Sequence, residues 1–280
     1  MNIDTLVLSG GGPSGISYIG IFRSLFEKDI LKRDLSDIKE IITTSIGIIF
    51  SLLYMLEFKE EIIEKILLEL DMLSILDMEN LDIDDLLVDF GLFNNDKIGE
   101  SIKSLIRHTL KKEDITLKEL HDIIPIKLTV KVYNVTKSIL EYISYETDPD
   151  LSLSLLGQMT TAIPFFFKPI KYKDNLYVDG GLKGGFPIEE CKSENYLGIF
   201  VRGGICNLNQ NEITKLFPIF EFILSLMNEK TNIEKYDKKR IIVTEINQGL
   251  NFDLSEDKKK EIIKLGYDSA IKHIETCFKD

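Results

Sequence analysis

The sequence predicts an α/β protein built on a central, mostly parallel sheet with helical cover, and three observations carry that prediction. Residues 4–9 form an apolar strand that runs directly into Gly10-Gly11-Gly12-Pro13-Ser14-Gly15 and then into a helix over residues 16–28. Strand, glycine loop and helix in that order open a parallel, helix-covered sheet. The β-branched run 38–43 repeats the theme, because residues 47–58 behind it are apolar at nearly every step and too long for a strand. Further strand-like segments at 127–135, 140–145, 175–178, 196–201 and 241–246 are interleaved with helical periodicity.

Each element has its own local warrant. The helix over 16–28 carries Ile16, Ile19, Phe22, Leu25 and Phe26 on one face. From 57 to 122 the text is helical and acidic, with Ile62, Ile63, Ile66, Leu67 and Leu70 at helical spacing. Gly91 and Asn94-Asn95-Asp96 interrupt it, and helices at 96–110 and 116–123 lead back to the sheet. Pro125 opens a β-rich stretch in which 127–135 alternates apolar and polar residues and 140–145 is its hairpin partner. A helix at 151–162, a loop at 164–169 and a short strand at 175–178 follow, the strand ending in Asp179-Gly180-Gly181. An amphipathic helix over 213–227 separates the last two strands, and Ser255 caps a closing helix at 254–278. No internal repeat or linker divides the chain, so residues 1–280 are expected to form one domain.

Composition narrows the function classes. A net charge of −12 argues against nucleic acid as a partner and against a broad electrostatic grip on an anionic membrane, although it leaves room for a local basic patch. Cys191, Cys206 and Cys277 are odd in number and far apart, which is not the spacing of a zinc or redox pair and fits idle thiols in a reducing compartment. The N-terminus lacks the basic region, apolar block and cleavage site of a signal peptide. The apolar run at 41–56 falls short of the ~20 residues of a spanning helix. Asp82, Asp84, Asp85 and Asp89 alternate with Leu and Ile, as on a solvated helix face, and lack the fixed oxygen-ligand spacing of a cation loop.

Four places can carry chemistry. Ser45 stands at a strand-to-helix turn between two apolar runs. Such a turn lifts a hydroxyl above the sheet and aims a helix N-terminus at any anion formed there, and Gly47 lets the helix start close to the strand. The same serine also reads as the cap of a core helix. Gly10, Gly12 and Gly15 match G-x-G-x-x-G, yet a dinucleotide site needs an acidic residue at the end of the second strand, where this chain has Thr43-Thr44-Ser45. The competing reading makes the Gly11 and Gly12 amides an oxyanion hole, provided the first two strands are neighbours. His108, His121 and His273 all fall in predicted helices among charged neighbours, the setting of surface histidines. Asp179 follows a strand and precedes two glycines, which holds its carboxylate at the sheet's C-terminal edge; alone, Asp-Gly-Gly is a turn.

Taken in order, Gly10-Gly11-Gly12-Pro13-Ser14-Gly15, Thr44-Ser45-Ile46-Gly47 and Asp179-Gly180-Gly181 resemble the motifs of the patatin-like phospholipase family. The resemblance extends through Gly91-Leu92-Phe93, Asn134-Val135-Thr136, Thr160-Thr161-Ala162-Ile163-Pro164, the run Leu176 to Pro187 and the closing helix, and so covers nearly the whole chain. It implies a three-layer α/β/α sandwich and hydrolysis of acyl esters by a Ser/Asp dyad. Carried over, Ser45 is the nucleophile, Asp179 the base, and Gly10, Gly11 and Gly12 the oxyanion hole, with Gly15, Gly47, Gly180 and Gly181 shaping the turns. The implied substrate is a phospholipid or other acyl lipid met by transient contact with a membrane surface, in a cytoplasmic protein needing no cofactor and no metal. An aspartate base stays ionised in mild acid unless burial raises its pKa. Two positions depart from the family pattern: Thr43 stands where glycine is usual, and Ser14 where a basic residue is usual. They keep open a catalytically weak lipid-binding or regulatory protein of the same fold, and a nucleotide-binding domain is a third reading.

Overall fold

A parallel sheet is buried on both faces, so its strands must be continuous apolar runs, and Leu6, Val7 and Leu8 in the first strand are all fully buried. The structure is a computed structural model and describes residues 2–76, 86, 88–203, 220, 223–224, 231–247 and 249–278. Its strands are β1 (Thr5–Leu8), β2 (Glu40–Thr44), β3 (Gly91–Phe93), β4 (Lys127–Asn134), β5 (Ile139–Ile143), β6 (Phe165–Phe167), β7 (Ile170–Tyr172), β8 (Asn175–Asp179), β9 (Tyr196–Gly203) and β10 (Ile241–Ile246). The helices that matter for the site are α1 (Ser17–Glu27), α2 (Gly47–Met55), α3 (Glu60–Glu69), α4 (Asp96–Leu110), α5 (Leu117–Ile123), α6 (Leu153–Thr161) and α7 (Glu256–Cys277).

The main sheet has the order β10-β9-β1-β2-β4-β8-β7, with β5 also paired to β4. Strands β10, β9, β1, β2 and β4 are parallel, and β5, β8 and β7 add antiparallel pairings. Side chains alternate across the pleat. Leu6, Leu8 and Ile41 enter the large core shared with the helices, whereas Val7 and Ile42 enter a smaller cluster with Phe186, Ile188 and Ile241. The result is the expected α/β/α arrangement, a mostly parallel sheet flanked by helices.

Several expectations of detail change. The loop expected at 164–169 contains β6, which pairs in parallel with β3 at the expected break after Gly91. Three-residue strands are too short to show a period, and their partners lie far apart in sequence. Strand β7 escaped notice for the same reason. The polar residues Thr129 and Lys131 of the alternating stretch 127–135 are both buried. Most of the amphipathic helix expected at 213–227, together with Cys206 and with Asp82, Asp84 and Asp85, lies outside the described residues.

Helix α1 is held by α7 at a glycine crossing. A Cβ on Gly20 would lie 1.9 Å from the Ile263 carbonyl oxygen, and one on Gly266 would lie 2.2 Å from that of Ser17. The two backbones touch only because neither position has a side chain. Gly20→Ala should therefore lower stability by about 1–3 kcal/mol through overpacking, read as a shifted denaturant midpoint. Gly203→Ala, where a Cβ meets nothing within 4 Å, should leave the midpoint nearly unchanged, and equal losses in the two variants would refute the crossing.

Candidate active site

Strand β4 is longer than its neighbour β2, and the difference makes a notch. Residues 130 and 131 pair with β2 and β5, while residues 132–134 pair with β8 and β5. Since β5 occupies one edge of β4 over residues 130–134, β2 and β8 share the other edge and meet head to head. Thr44 is paired with Lys131, and Asp179 with the next residue, Val132. The chain thus delivers Ser45, just past the end of β2, and Asp179, the last residue of β8, to one point at the C-terminal edge of the sheet.

Ser45 takes a left-handed conformation, φ 53°, which an L-residue adopts at a cost of roughly 1–2 kcal/mol. Its N–H, turned out of the ladder, is received by Thr160 Oγ1 at 2.8 Å, and that hydroxyl donates to the Lys131 carbonyl at 2.8 Å. Thr44 Oγ1 donates to the same carbonyl at 3.2 Å. Helix α2 starts two residues later, with Ile48 N–H bonded to the Ser45 carbonyl, so its positive end lies beside the serine. A Cβ on Gly47 would fall 2.2 Å from Thr43 Oγ1 and 2.8 Å from the Ser9 carbonyl. Thr43 is accommodated because position 47 has no side chain, though its buried hydroxyl has no hydrogen-bond partner among the described residues.

Asp179 is 5% exposed. Its Oδ1 accepts the Gly181 N–H at 2.7 Å and its own N–H reaches the Ala162 carbonyl at 2.9 Å. A Cβ on Gly180 would lie 2.5 Å from the Lys131 carbonyl, so glycine there lets the turn close against β4. Burial pushes the Asp179 carboxyl up, and the influence of the Ser45 hydroxyl, the bond from the Gly181 N–H and the positive charge of Lys131 pull it back, leaving it at about 6. A carboxylate poised there can exchange a proton near neutral pH.

The glycine loop lies against the serine because β1 and β2 are neighbours. A Cβ on Gly10 would be 3.0 Å from Ser45 Cβ, and one on Gly15 would be 2.8 Å from the Ile46 side chain. The Gly10 N–H is bonded to the Gly185 carbonyl at 2.8 Å, so it is not the free donor expected of an oxyanion hole. Gly11 and Gly12 lie at the open start of the 3-10 turn Gly12–Ile16, where N–H groups have no intrahelical acceptor. Gly12 has φ 50°, a conformation that favours glycine. Ser14 is buried with its hydroxyl unpartnered among the described residues.

No histidine is among the groups acting on Asp179. His108 is exposed, His121 stacks on Tyr145 with ring centroids 3.9 Å apart, and His273 Nε2 bonds to the Lys239 carbonyl. Four residues that sequence reasoning missed hold the site. Ser9 Oγ donates to the Gly10 carbonyl and accepts the Val201 N–H, and Tyr18 donates to the Ser9 carbonyl. Thr160 and Lys131 have been described. Only Thr160 had a signal, since it sits in the quoted run Thr160–Pro164.

Fold and geometry together place the chain among α/β proteins whose buried serine and acid meet at the sheet's C-terminal edge. The sequence model for patatin-like phospholipases matches residues 6–192, and the chain belongs to that family. It is 31% identical over 185 residues to a probable lipid hydrolase of Invertebrate iridescent virus 6, covering 66% of this chain and 62% of that one. An uncharacterized protein of Acanthamoeba polyphaga mimivirus is 27% identical over 289 residues, covering 97% of this chain and 94% of the relative. Among solved structures, VipD from Legionella pneumophila superposes with a TM-score of 0.67 at 18% identity, over 99% of this chain and 67% of VipD. The type III effector ExoU gives 0.56 at 16% identity, over 100% of this chain and 54% of ExoU. At these identities the two structures speak for the fold.

The raised pKa has a consequence for stability. Above pH 6 the folded state holds an ionised buried carboxylate that the unfolded chain, with an aspartate pKa of ~3.9, solvates freely. The cost is present at pH 8, shrinks as pH falls through 6, and is gone near 4. Asp179→Asn should therefore be more stable than the parent at pH 8 by up to roughly 3 kcal/mol, with the advantage lost at pH 4. Thermal unfolding at the two pH values tests this, and a pH-independent difference would contradict the burial account.

Proposed function

We propose that this protein is a serine lipid acyl hydrolase of phospholipase A type, cleaving acyl esters of phospholipids or related lipids with Ser45 as nucleophile and Asp179 as its base. The observation that carries the reading is the meeting of Ser45, just past the end of β2, with the buried Asp179 that ends β8, a carboxyl poised near neutral pH. Membership of the patatin-like phospholipase family supports the same chemistry.

In the first half of the reaction Asp179 takes the Ser45 proton while Oγ attacks the ester carbonyl. The amides of Gly11 and Gly12, with the positive end of α2, face the oxyanion as it forms. Collapse of the tetrahedral intermediate expels the alcohol, which leaves with the proton that Asp179 had taken. Water, deprotonated by the same carboxylate, then attacks the acyl-serine, and the fatty acid leaves as Asp179 returns the proton to Ser45 Oγ. Gly10 contributes space for the serine, while its amide fixes the loop through Gly185. No described helix is long and apolar enough to cross a membrane, and substrate is reached by transient contact with a lipid surface from a cytoplasmic, peripheral location.

Ser45→Ala should abolish acyl release and labelling by a fluorophosphonate, since the adduct forms only on an activated serine oxygen. Asp179→Asn should cost about 10²-fold or more in turnover, and the acid limb of the parent's pH–rate profile should fall near pH 6. An active Ser45→Ala would sink the assignment of the nucleophile, and an unlabelled, inactive parent protein would leave lipid binding without turnover. Hydrolysis should also persist in a calcium chelator, because the oxyanion is assigned to backbone amides; loss of activity that calcium restores would count against that assignment.

A further inference from the structure

Lys131 is fully buried at the notch, and both ends of the residue are engaged there. Its carbonyl receives the hydroxyls of Thr44 and Thr160, and Thr160 in turn receives the Ser45 N–H. Its Nζ donates to the Lys183 carbonyl at 2.8 Å, the Gly184 carbonyl at 2.9 Å and Glu189 Oε1 at 2.6 Å. Those two carbonyls belong to the turn that follows Asp179. The next carbonyl, that of Gly185, accepts the Gly10 amide. One residue is therefore bonded, directly or through a single intermediary, to the serine elbow, the aspartate turn and the glycine loop.

We propose that Lys131 is a positioning residue for the Ser45–Asp179 pair, whose ammonium fixes the 183–185 turn and stands as a buried positive charge beside the Asp179 carboxylate. The proposal rests on the dyad reading for its catalytic meaning and on the hydrogen bonds above for its geometry. A lysine used only to fill the strand would need no such company, because an aliphatic residue fills that space without burying a charge. The side chain that compensates it, Glu189, is part exposed and also accepts the Tyr142 hydroxyl at 2.5 Å. The cation is thus held between Glu189 and the two turn carbonyls.

The groups facing Asp179 from each packed element are few. The end of β2 brings the Ser45 hydroxyl, the turn brings the Gly181 N–H, β4 brings Lys131, and the end of α6 brings the neutral Ala162 carbonyl, bonded to the Asp179 N–H. Lys131 is the one charged side chain among the described residues that acts on Asp179. Removing it should make the carboxylate harder to ionise, and removing its counter-charge should make it easier.

The test follows the Asp179 carboxyl by ¹³C NMR titration, assigned against Asp179→Asn, in the full chain and in Lys131→Met, Lys131→Arg and Glu189→Gln. Lys131→Met should raise the titration midpoint by about one pH unit, Lys131→Arg should restore most of it, and Glu189→Gln should move it to lower pH. Fluorophosphonate labelling at pH 9, where Asp179 is ionised in every variant, should still be several-fold slower in Lys131→Met, because the 183–185 turn, and through Gly185 the glycine loop, has lost its ammonium anchor while the main-chain carbonyl behind the elbow remains. A folded Lys131→Met with an unmoved midpoint, or with a moved midpoint and parental labelling at pH 9, overturns the proposal. If Lys131→Met does not fold, Glu189→Gln decides, and a midpoint that stays or rises refutes the role. An Asp179→Asn that hydrolyses lipid normally would defeat the dyad reading instead, and the titration would still judge Lys131 on its own.

Discussion

The site depends on a mismatch in strand length. Strand β4 runs three residues past its last pairing with β2, and those three residues need hydrogen-bond partners. Strand β8 supplies them by arriving antiparallel on the same edge, so the ends of β2 and β8 face each other across the Lys131 carbonyl. A serine after one strand and an aspartate ending the other are thereby set together by backbone pairing, before any side-chain contact is considered. The left-handed Ser45, the glycine at 180 and the threonine at 160 are local adjustments that let two chain ends share one notch.

Burial shapes the electrostatics as strongly as it shapes the geometry. Asp179 and Lys131 are both inside the protein, where an isolated charge would be untenable. Each is tolerated because polar groups meet it: the carboxylate accepts the Gly181 amide, and the ammonium donates to two carbonyls and Glu189. Desolvation outweighs these interactions at Asp179, which is why its pKa stands near 6 and not at the usual aspartate value. The same polar network ties the 183–185 turn to the glycine loop, so the electrostatic setting and the positions of the loops are not independent.

The two departures from the family pattern are absorbed differently. Thr43 fits because Gly47 leaves room for its hydroxyl, which makes the pair at 43 and 47 a matter of total volume at the elbow. Ser14 puts a small neutral side chain into a buried place at the start of the helix. Neither change touches the Ser45 N–H bond or the Asp179 cap. The chain spans 62% of the length of the viral lipid hydrolase relative and about half of ExoU, and the likeness to ExoU is one of fold.

Apolar runs fixed the long elements: helix α4 and strand β10 fall where periodicity placed them, and Ser255 caps the closing helix as its position before the periodic run predicted. The motifs also put Ser45, Asp179 and the glycine loop on the page, since each sits at a strand end or a turn whose residue types are locally constrained. Short strands β3, β6 and β7 were not legible, because three residues carry no period and their pairing is non-local. Nor could a sequence show that β2 and β8 meet on one edge of β4, which is decided by register. That register turns Lys131 from an ordinary polar residue in an alternating strand into a buried cation behind the site, and it commits the Gly10 amide to Gly185. Local chemistry thus named the reacting groups, while their meeting and their anchoring depend on contacts between segments that only the folded chain brings together.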